Sequence, residues 1–370
     1  MTAIRGYIPP VGERSTLGVH SLDRFVLAVP DLAPAQCFYS DFGLDVQAAG
    51  NALALKTPAD DHSWGLVIEG PRKRLHHLSF GCYAGDLPYL QERAEANGVE
   101  LVDPPRGFES NGFWLRDPAG LLVEVKVAPK TSPAHKTGGT WSSSPEGVAG
   151  APLRRNATVV RPRRLSHVLV FTTDIDKAIE FYTRNLGLRL SDRSDLVAFL
   201  HAIHGSDHHI LAFAQSTAPG LHHCSWDMSS IDDIGLGAAI MAAKGHDKGW
   251  GLGRHVLGSN YFHYVQDPWG SFAEYSRHRL RSRGAPVGCA IPRARGLVLP
   301  VGAGAAGRLH GQSGSMISGR VYDVDPSYSA RSALRITATS ITSCKIAPST
   351  GAMKPSAAAI MPTTERPTPA

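Results

Sequence analysis

Apolar positions along the chain alternate between two periods. Residues 166–172 read SHVLVFT, a β-branched and apolar run of strand type. Just beyond it Ile175, Ala178, Ile179 and Tyr182 fall at i, i+3, i+4 and i+7, one face of a helix. Asp174 stands at the N-cap of that helix and Gly187 at its C-terminal stop. The same order occurs earlier: DRFVLAVPDLAPAQCFYSDFGL (23–44) runs parallel to SHVLVFTTDIDKAIEFYTRNLGL (166–188).

The following segments repeat as well. RLHHLSFG (74–81) matches GLHHCSWD (220–227), the helical pattern of 86–98 matches that of 229–245, and LRDPAGLLVEVKV (115–127) matches VQDPWGSFAEYS (265–276). Self-similarity of this kind predicts two related α+β domains in tandem, 18–128 and 162–280, each made of two βαβββ modules. Residues 1–17 read as an N-terminal extension. The Pro-, Gly-, Ser- and Thr-rich stretch 129–161 reads as a linker. From 281 to 370 no helical or strand period is sustained, and this low-complexity basic tail is expected to be disordered.

Charge narrows the partners. The net charge of +6 is concentrated in the tail, where eleven Lys/Arg face three acids, so residues 1–280 carry about −2. Without a basic stripe interleaved with aromatics there, no nucleic-acid partner is expected. No apolar run reaches the about 18 residues of a membrane span, and MTAIRGYIPPVGER lacks the apolar core of a secretory signal. Cys37, Cys82, Cys224, Cys289 and Cys344 show no CxxC pairing, which fits reduced thiols in a cytoplasmic protein and offers no thiolate zinc site.

Candidate chemistry lies in the second repeat. His167, His223 and Glu274 sit on three separate predicted strands. Each alone reads as an ordinary core or surface residue. Two neutral imidazoles and a carboxylate gathered on one face form the donor set of the non-haem Fe(II) facial triad, and Mn(II) suits the same ligand types. His209, His255 and Tyr264 stand nearby in the same repeat, with side chains able to exchange or donate protons. A three-residue hairpin loop places Tyr264 opposite Glu274 on one face, and a two-residue loop places them on opposite faces. By strand alternation His222 points away from the side of His223. His201, His204, His208, His263 and His278 read as surface or packing residues.

Gly253-Arg254-His255, then Tyr264, then Asp267-Pro268-Trp269-Gly270 and Glu274, together with Leu165-Ser166-His167, Leu221-His222-His223 and His209, resemble the signature of type I extradiol ring-cleavage dioxygenases of the vicinal oxygen chelate superfamily. The likeness is to the catechol 2,3-dioxygenase and 2,3-dihydroxybiphenyl 1,2-dioxygenase group and covers about residues 18–280. His263 departs from the apolar residue usual before the Tyr. The resemblance implies that His167, His223 and Glu274 bind Fe(II), with a catechol-type diol and O2 as substrates. It implies that His209 stabilises charge developing on oxygen and that His255 and Tyr264 hydrogen-bond the ring hydroxyls. It also implies a homo-oligomer. In the first repeat Arg24 stands where His167 does and Trp114 where Tyr264 does, leaving only His77 and Glu124, so that domain reads as structural. Two other readings on the same scaffold are a glyoxalase-type metal-dependent isomerase or lyase, which uses a four-ligand set, and a non-catalytic ligand-binding protein.

Overall fold

The computed structural model describes residues 17–58, 60–133, 146–147, 159–277 and 281–282. The N-terminal extension up to residue 16, most of the linker, His278, Cys289, Cys344 and the tail from 283 lie outside the described residues.

Four βαβββ modules follow one another. The first is β1 (Ser21–Val29), α1 (Leu32–Asp41), β2 (Asp45–Ala49), β3 (Ala52–Thr57) and β4 (Asp60–Glu69). The second is β5 (Arg74–Cys82), α2 (Leu87–Ala96), β6 (Leu101–Val102), β7 (Phe113–Arg116) and β8 (Leu122–Val127). The third is β9 (Arg164–Thr172), α3 (Ile175–Leu186), β10 (Arg189–Arg193) and β11 (Val197–His201), then a short β12 (Ser206–Asp207), and β13 (Leu211–Gln215). The fourth is β14 (Gly220–Asp227), α4 (Ile231–Ala243), β15 (Gly249–Arg254), β16 (Tyr261–Gln266) and β17 (Phe272–Arg277). A final strand, β18 (Arg281–Ser282), pairs with β12.

Each pair of modules builds one eight-stranded mixed sheet, in the orders β2-β3-β4-β1-β5-β8-β7-β6 and β10-β11-β13-β9-β14-β17-β16-β15. The two orders are the same pattern, with modules meeting antiparallel at β1/β5 and β9/β14. Local chemistry sets the helix ends where the sequence places them. Asp174 accepts from Lys177 N, Ser230 from Asp233 N and Asp31 from Ala33 N, satisfying backbone donors that the first helical turn leaves open. Gly187 closes α3 with φ of 72°, a left-handed conformation that suits glycine.

Strand alternation divides the second sheet into two faces. Val168 and Val170 of β9, Val265 of β16, and Ala273 and Tyr275 of β17 join a large apolar core with Ile175, Ala178, Tyr182, Ile234 and Met241 of the helices. Their neighbours in sequence, His167, Tyr264, Phe272 and Glu274, face the other way. That core belongs to both sheets. Phe42 of the first half stacks on Tyr275 of the second at 3.9 Å with planes 2° apart, and Tyr275 Oη donates to the Phe42 carbonyl at 2.8 Å. Trp226, fully buried, meets Phe25 edge-on at 6.4 Å.

Candidate metal centre and active site

Three strands deliver the three donors. His167 comes from β9, His223 from β14 and Glu274 from β17, the central strands of the second sheet. The ladder fixes their juxtaposition: Ser225 of β14 is the register partner of both His167 and Glu274, and His223 lies two residues before it on the same face. The donor atoms meet at close range. His167 Nε2 lies 3.0 Å from His223 Nε2, and Glu274 Oε2 lies 3.3 Å and 3.6 Å from the two imidazoles. All three residues are buried.

That arrangement fits a cation. Adjacent ligands about 2.1 Å from one ion are themselves about 3 Å apart, the spacing these atoms have. Glu274 Oε2 is buried without a conventional hydrogen bond, a costly state for a carboxylate oxygen in a protein interior. Burial holds the His223 imidazole well below its ordinary value, against the pull of the Glu274 charge. For Glu274 burial works against ionisation, but the contacts with His167 and His255 outweigh it and hold the carboxyl well below its usual range. A neutral imidazole and an ionised carboxylate are the ligand forms a divalent ion of intermediate softness takes. Among the described residues, this is the group of three His, Cys, Asp or Glu side chains placed to hold a metal ion.

The hairpin that carries Glu274 takes the three-residue form. Gln266 pairs with Phe272, and Asp267 N donates to Ser271 O at 2.7 Å, leaving Pro268, Trp269 and Gly270 as the loop. Asp267 Oδ1 accepts from Trp269 N and Ser271 N, both at 2.9 Å, and Gly270 takes the left-handed conformation at φ of 88°. Tyr264 is thereby the direct partner of Glu274, on one face.

His255 follows β15 immediately, on the loop leading to β16, with Nε2 3.0 Å from Tyr264 Oη and 3.7 Å from Glu274 Oε1. It is half-exposed, and Leu252 and Val256 beside it are exposed, so His255 lies at the rim. Tyr264 is buried, stacked on Trp250 at 4.3 Å, with its phenol pushed well above its ordinary value by burial and by the Glu274 charge. On the other flank the His209 ring lies 4.0 Å from that of His167. The structure therefore brings all six sequence-predicted site residues into one cluster.

One expectation changes. His222 does not point away from His223. A bulge between Leu221 and His223 breaks the alternation, so that Leu221 and Cys224, three apart, both face the core. His222 and His223 then share the other face, with Nδ1 atoms 2.6 Å apart, and burial lowers His222 to about 4. His208 is a buried residue with a partner at each nitrogen. Its Nε2 lies 2.8 Å from Asp192 Oδ2 and its Nδ1 3.1 Å from His209 Nδ1, linking a carboxylate to His209. His201 is buried too, against Ser191. Trp250, Asn260 and Asp192 carried no signal in sequence, since they come near the site only through strand pairing.

The equivalent place in the first sheet is filled differently. Arg24, Ser79, Glu124 and Trp114 repeat the register of His167, Ser225, Glu274 and Tyr264. Ser79 Oγ donates to Glu124 Oε2, and the Lys126 ammonium sits 3.5 Å from Glu124 and 2.9 Å from the buried Asp23. Side-chain cations supply the positive charge there.

Comparison with known proteins agrees with this geometry. Residues 21–125 and 164–275 match the Glyoxalase/Bleomycin resistance protein/Dioxygenase superfamily. The chain belongs to this superfamily. It is 50% identical over 259 residues to Metapyrocatechase 2 of Cupriavidus necator, covering 70% of this chain and 81% of that protein. It is 35% identical over 279 residues to a biphenyl-2,3-diol 1,2-dioxygenase of Metapseudomonas furukawaii, covering 70% and 86%. Among solved structures, the Mn(II)-bound glyoxalase from Novosphingobium aromaticivorans superposes with a TM-score of 0.57 at 26% identity, covering 72% of this chain and 84% of that one. Among the described residues, no helix of this superfamily member is long and apolar enough to cross a membrane.

Proposed function

We propose that the protein is an Fe(II)-dependent extradiol dioxygenase, which opens the ring of a catechol-type diol beside its two hydroxyls and incorporates both atoms of O2. The observation that carries this reading is the meeting of His167, His223 and Glu274 at one buried point, flanked by His209, His255 and Tyr264. The names of the relatives, a metapyrocatechase and a biphenyl-diol dioxygenase, support the same chemistry. Mn(II) suits the same donors, and a manganese-dependent 2,3-dihydroxybiphenyl 1,2-dioxygenase is among the relatives. Residues 18–128 then form a non-catalytic domain and 162–280 the catalytic one. The resemblance supports a cytoplasmic homo-oligomer, and the charge of residues 1–280 supports the absence of a nucleic-acid partner.

When bound, a ferrous ion would supply the redox chemistry that links a catechol-type diol to O2. The chain's own groups do the rest. His167, His223 and Glu274 would hold the ion with one negative charge, leaving an excess positive charge that would favour an ionised diol. His255 Nε2, at the rim, accepts a proton from a ring hydroxyl, and Tyr264 Oη, protonated at neutral pH, donates a hydrogen bond to His255 or to the ring oxygen. His209 is oriented by its Nδ1 contact with His208, which Asp192 anchors in turn, and it supplies a proton to charge developing on oxygen. Phe272, Trp250 and Phe262 pack around Tyr264 and keep water from this face.

Loading with Fe(II) under anaerobic conditions, followed by oxygen-electrode measurements with catechol, 3-methylcatechol and 2,3-dihydroxybiphenyl, tests the proposal. One O2 consumed per diol with a yellow ring-fission product is the expected result. An iron-loaded protein that consumes no oxygen with any of the three would refute it.

A further inference from the structure

The two oxygens of Glu274 are held differently. Oε2 faces His167 and His223, whereas Oε1 receives Asn260 Nδ2 at 3.4 Å. Asn260 is 1% exposed, and its Nδ2 also reaches Ser276 Oγ at 2.9 Å. Its backbone carbonyl accepts from His255 N at 2.9 Å. One residue therefore touches the carboxylate and also closes the loop that bears His255.

The first sheet serves as an internal control. There Glu124 turns to the register-paired serine and accepts from Ser79 Oγ. The position matching Asn260, four residues before Trp114, is Ser110, an exposed residue whose Oγ accepts from Gly112 N. In the second sheet the paired serine, Ser225, is buried next to Glu274, and its Oγ has no hydrogen-bond partner. The carboxylate has forgone a serine donor on the paired strand; Arg24, Trp114 and Lys126 of the first sheet differ from the second as well, but Asn260 is the buried amide that donates to Oε1, beside His255 Nε2 at 3.7 Å.

We propose that Asn260 is a positioning residue, which holds Glu274 by Oε1 and turns Oε2 away from Ser225 toward His167 and His223. The proposal rests on the metal-site reading above and adds to it the side chain that selects the ligating orientation. Without Asn260, Glu274 would turn to Ser225 as Glu124 does to Ser79, and the third ligand would be lost to a competing hydrogen bond.

The test is anaerobic calorimetric titration of the metal-free full-length chain with Co(II), for wild type, Asn260→Ala, Ser225→Ala and the double variant, with the melting temperature of each metal-free form. Partners that orient ligands typically contribute about 10- to 100-fold in metal affinity, and a loss of that size is expected for Asn260→Ala. Ser225→Ala alone should change little. In the double variant the competing donor is gone, and about tenfold or more of the lost affinity should return, a non-additivity that residues acting on one group show. A general loosening of the fold would not be repaired by deleting a buried hydroxyl. Asn260→Leu, of similar volume and without a donor, carries the test if the alanine variant does not fold. Wild-type binding with unchanged affinity in Asn260→Ala or Asn260→Leu, or a double variant as weak as Asn260→Ala, overturns this inference alone. Failure of wild type to take up Co(II) overturns the metal-site reading and the inference with it.

Discussion

Tyr264 Oη and His255 Nε2 are 3.0 Å apart, and that single contact allows a quantitative test of how the pair works. The perturbation is Tyr264→Phe, alone and combined with His255→Ala. The ring stays in place in Tyr264→Phe, since its stack on Trp250 and its edge contact with His223 at 5.1 Å involve only carbon. What is lost is one neutral hydrogen bond, worth about 0.5–1.5 kcal/mol net. At about 1.4 kcal/mol per factor of ten, that becomes roughly a 2- to 12-fold fall in kcat/KM. His255→Ala removes a proton acceptor and should cost about 10²- to 10⁴-fold. If Tyr264 acts through His255, the phenylalanine change should have almost no further effect once His255 is gone. Initial rates of oxygen uptake, normalised to iron content, measure all four forms. A double variant slower than His255→Ala by the full single-variant factor would show independent action and refute the relay.

Metal analysis after anaerobic loading should find one ion per chain and not two, because in the first sheet Arg24 stands in place of a ligand histidine and Lys126 pairs with Glu124; Glu274→Gln should lower that occupancy, with chelator competition as the measure. Stability should fall on acidification from about pH 6.5 toward pH 4. Burial holds His20 and His201 at about 4, below their unfolded value, so their contribution is complete above pH 6.5 and is lost as the unfolded chain takes up the protons. The expected slope in urea unfolding is about 1.4 kcal/mol per pH unit for each such histidine, and a flat profile over that range would refute it. Trp226→Ala, which empties a fully buried position between the two sheets, should cost about 3–5 kcal/mol and lower the melting temperature of both halves together, as one calorimetric transition.

Much of this was legible in the chain. The repeat predicted the two sheets because each module must carry its own strand and helix periodicity, and Asp174 and Gly187 marked the ends of α3 because capping is local chemistry. The six candidate residues were readable as a group because their residue types and spacing recur as a signature. Whether Tyr264 faces Glu274 was not readable, since one residue in the loop decides it, and backbone donors to Asp267 Oδ1 set that count. The orientation of His222 was misread for a related reason: a bulge adds a residue without leaving a compositional mark. Asn260, Asp192 and Lys126 stayed silent because their roles depend on which strand lies beside theirs.

The face-to-face contact of Phe42 with Tyr275 has a consequence for how such a chain can change over time. Tyr275 adjoins Glu274, so the first half, which has Arg24 where the second has His167, braces the strand that carries the proposed ligand. Substitutions at Phe42 would be felt in catalysis although that residue touches no reactant.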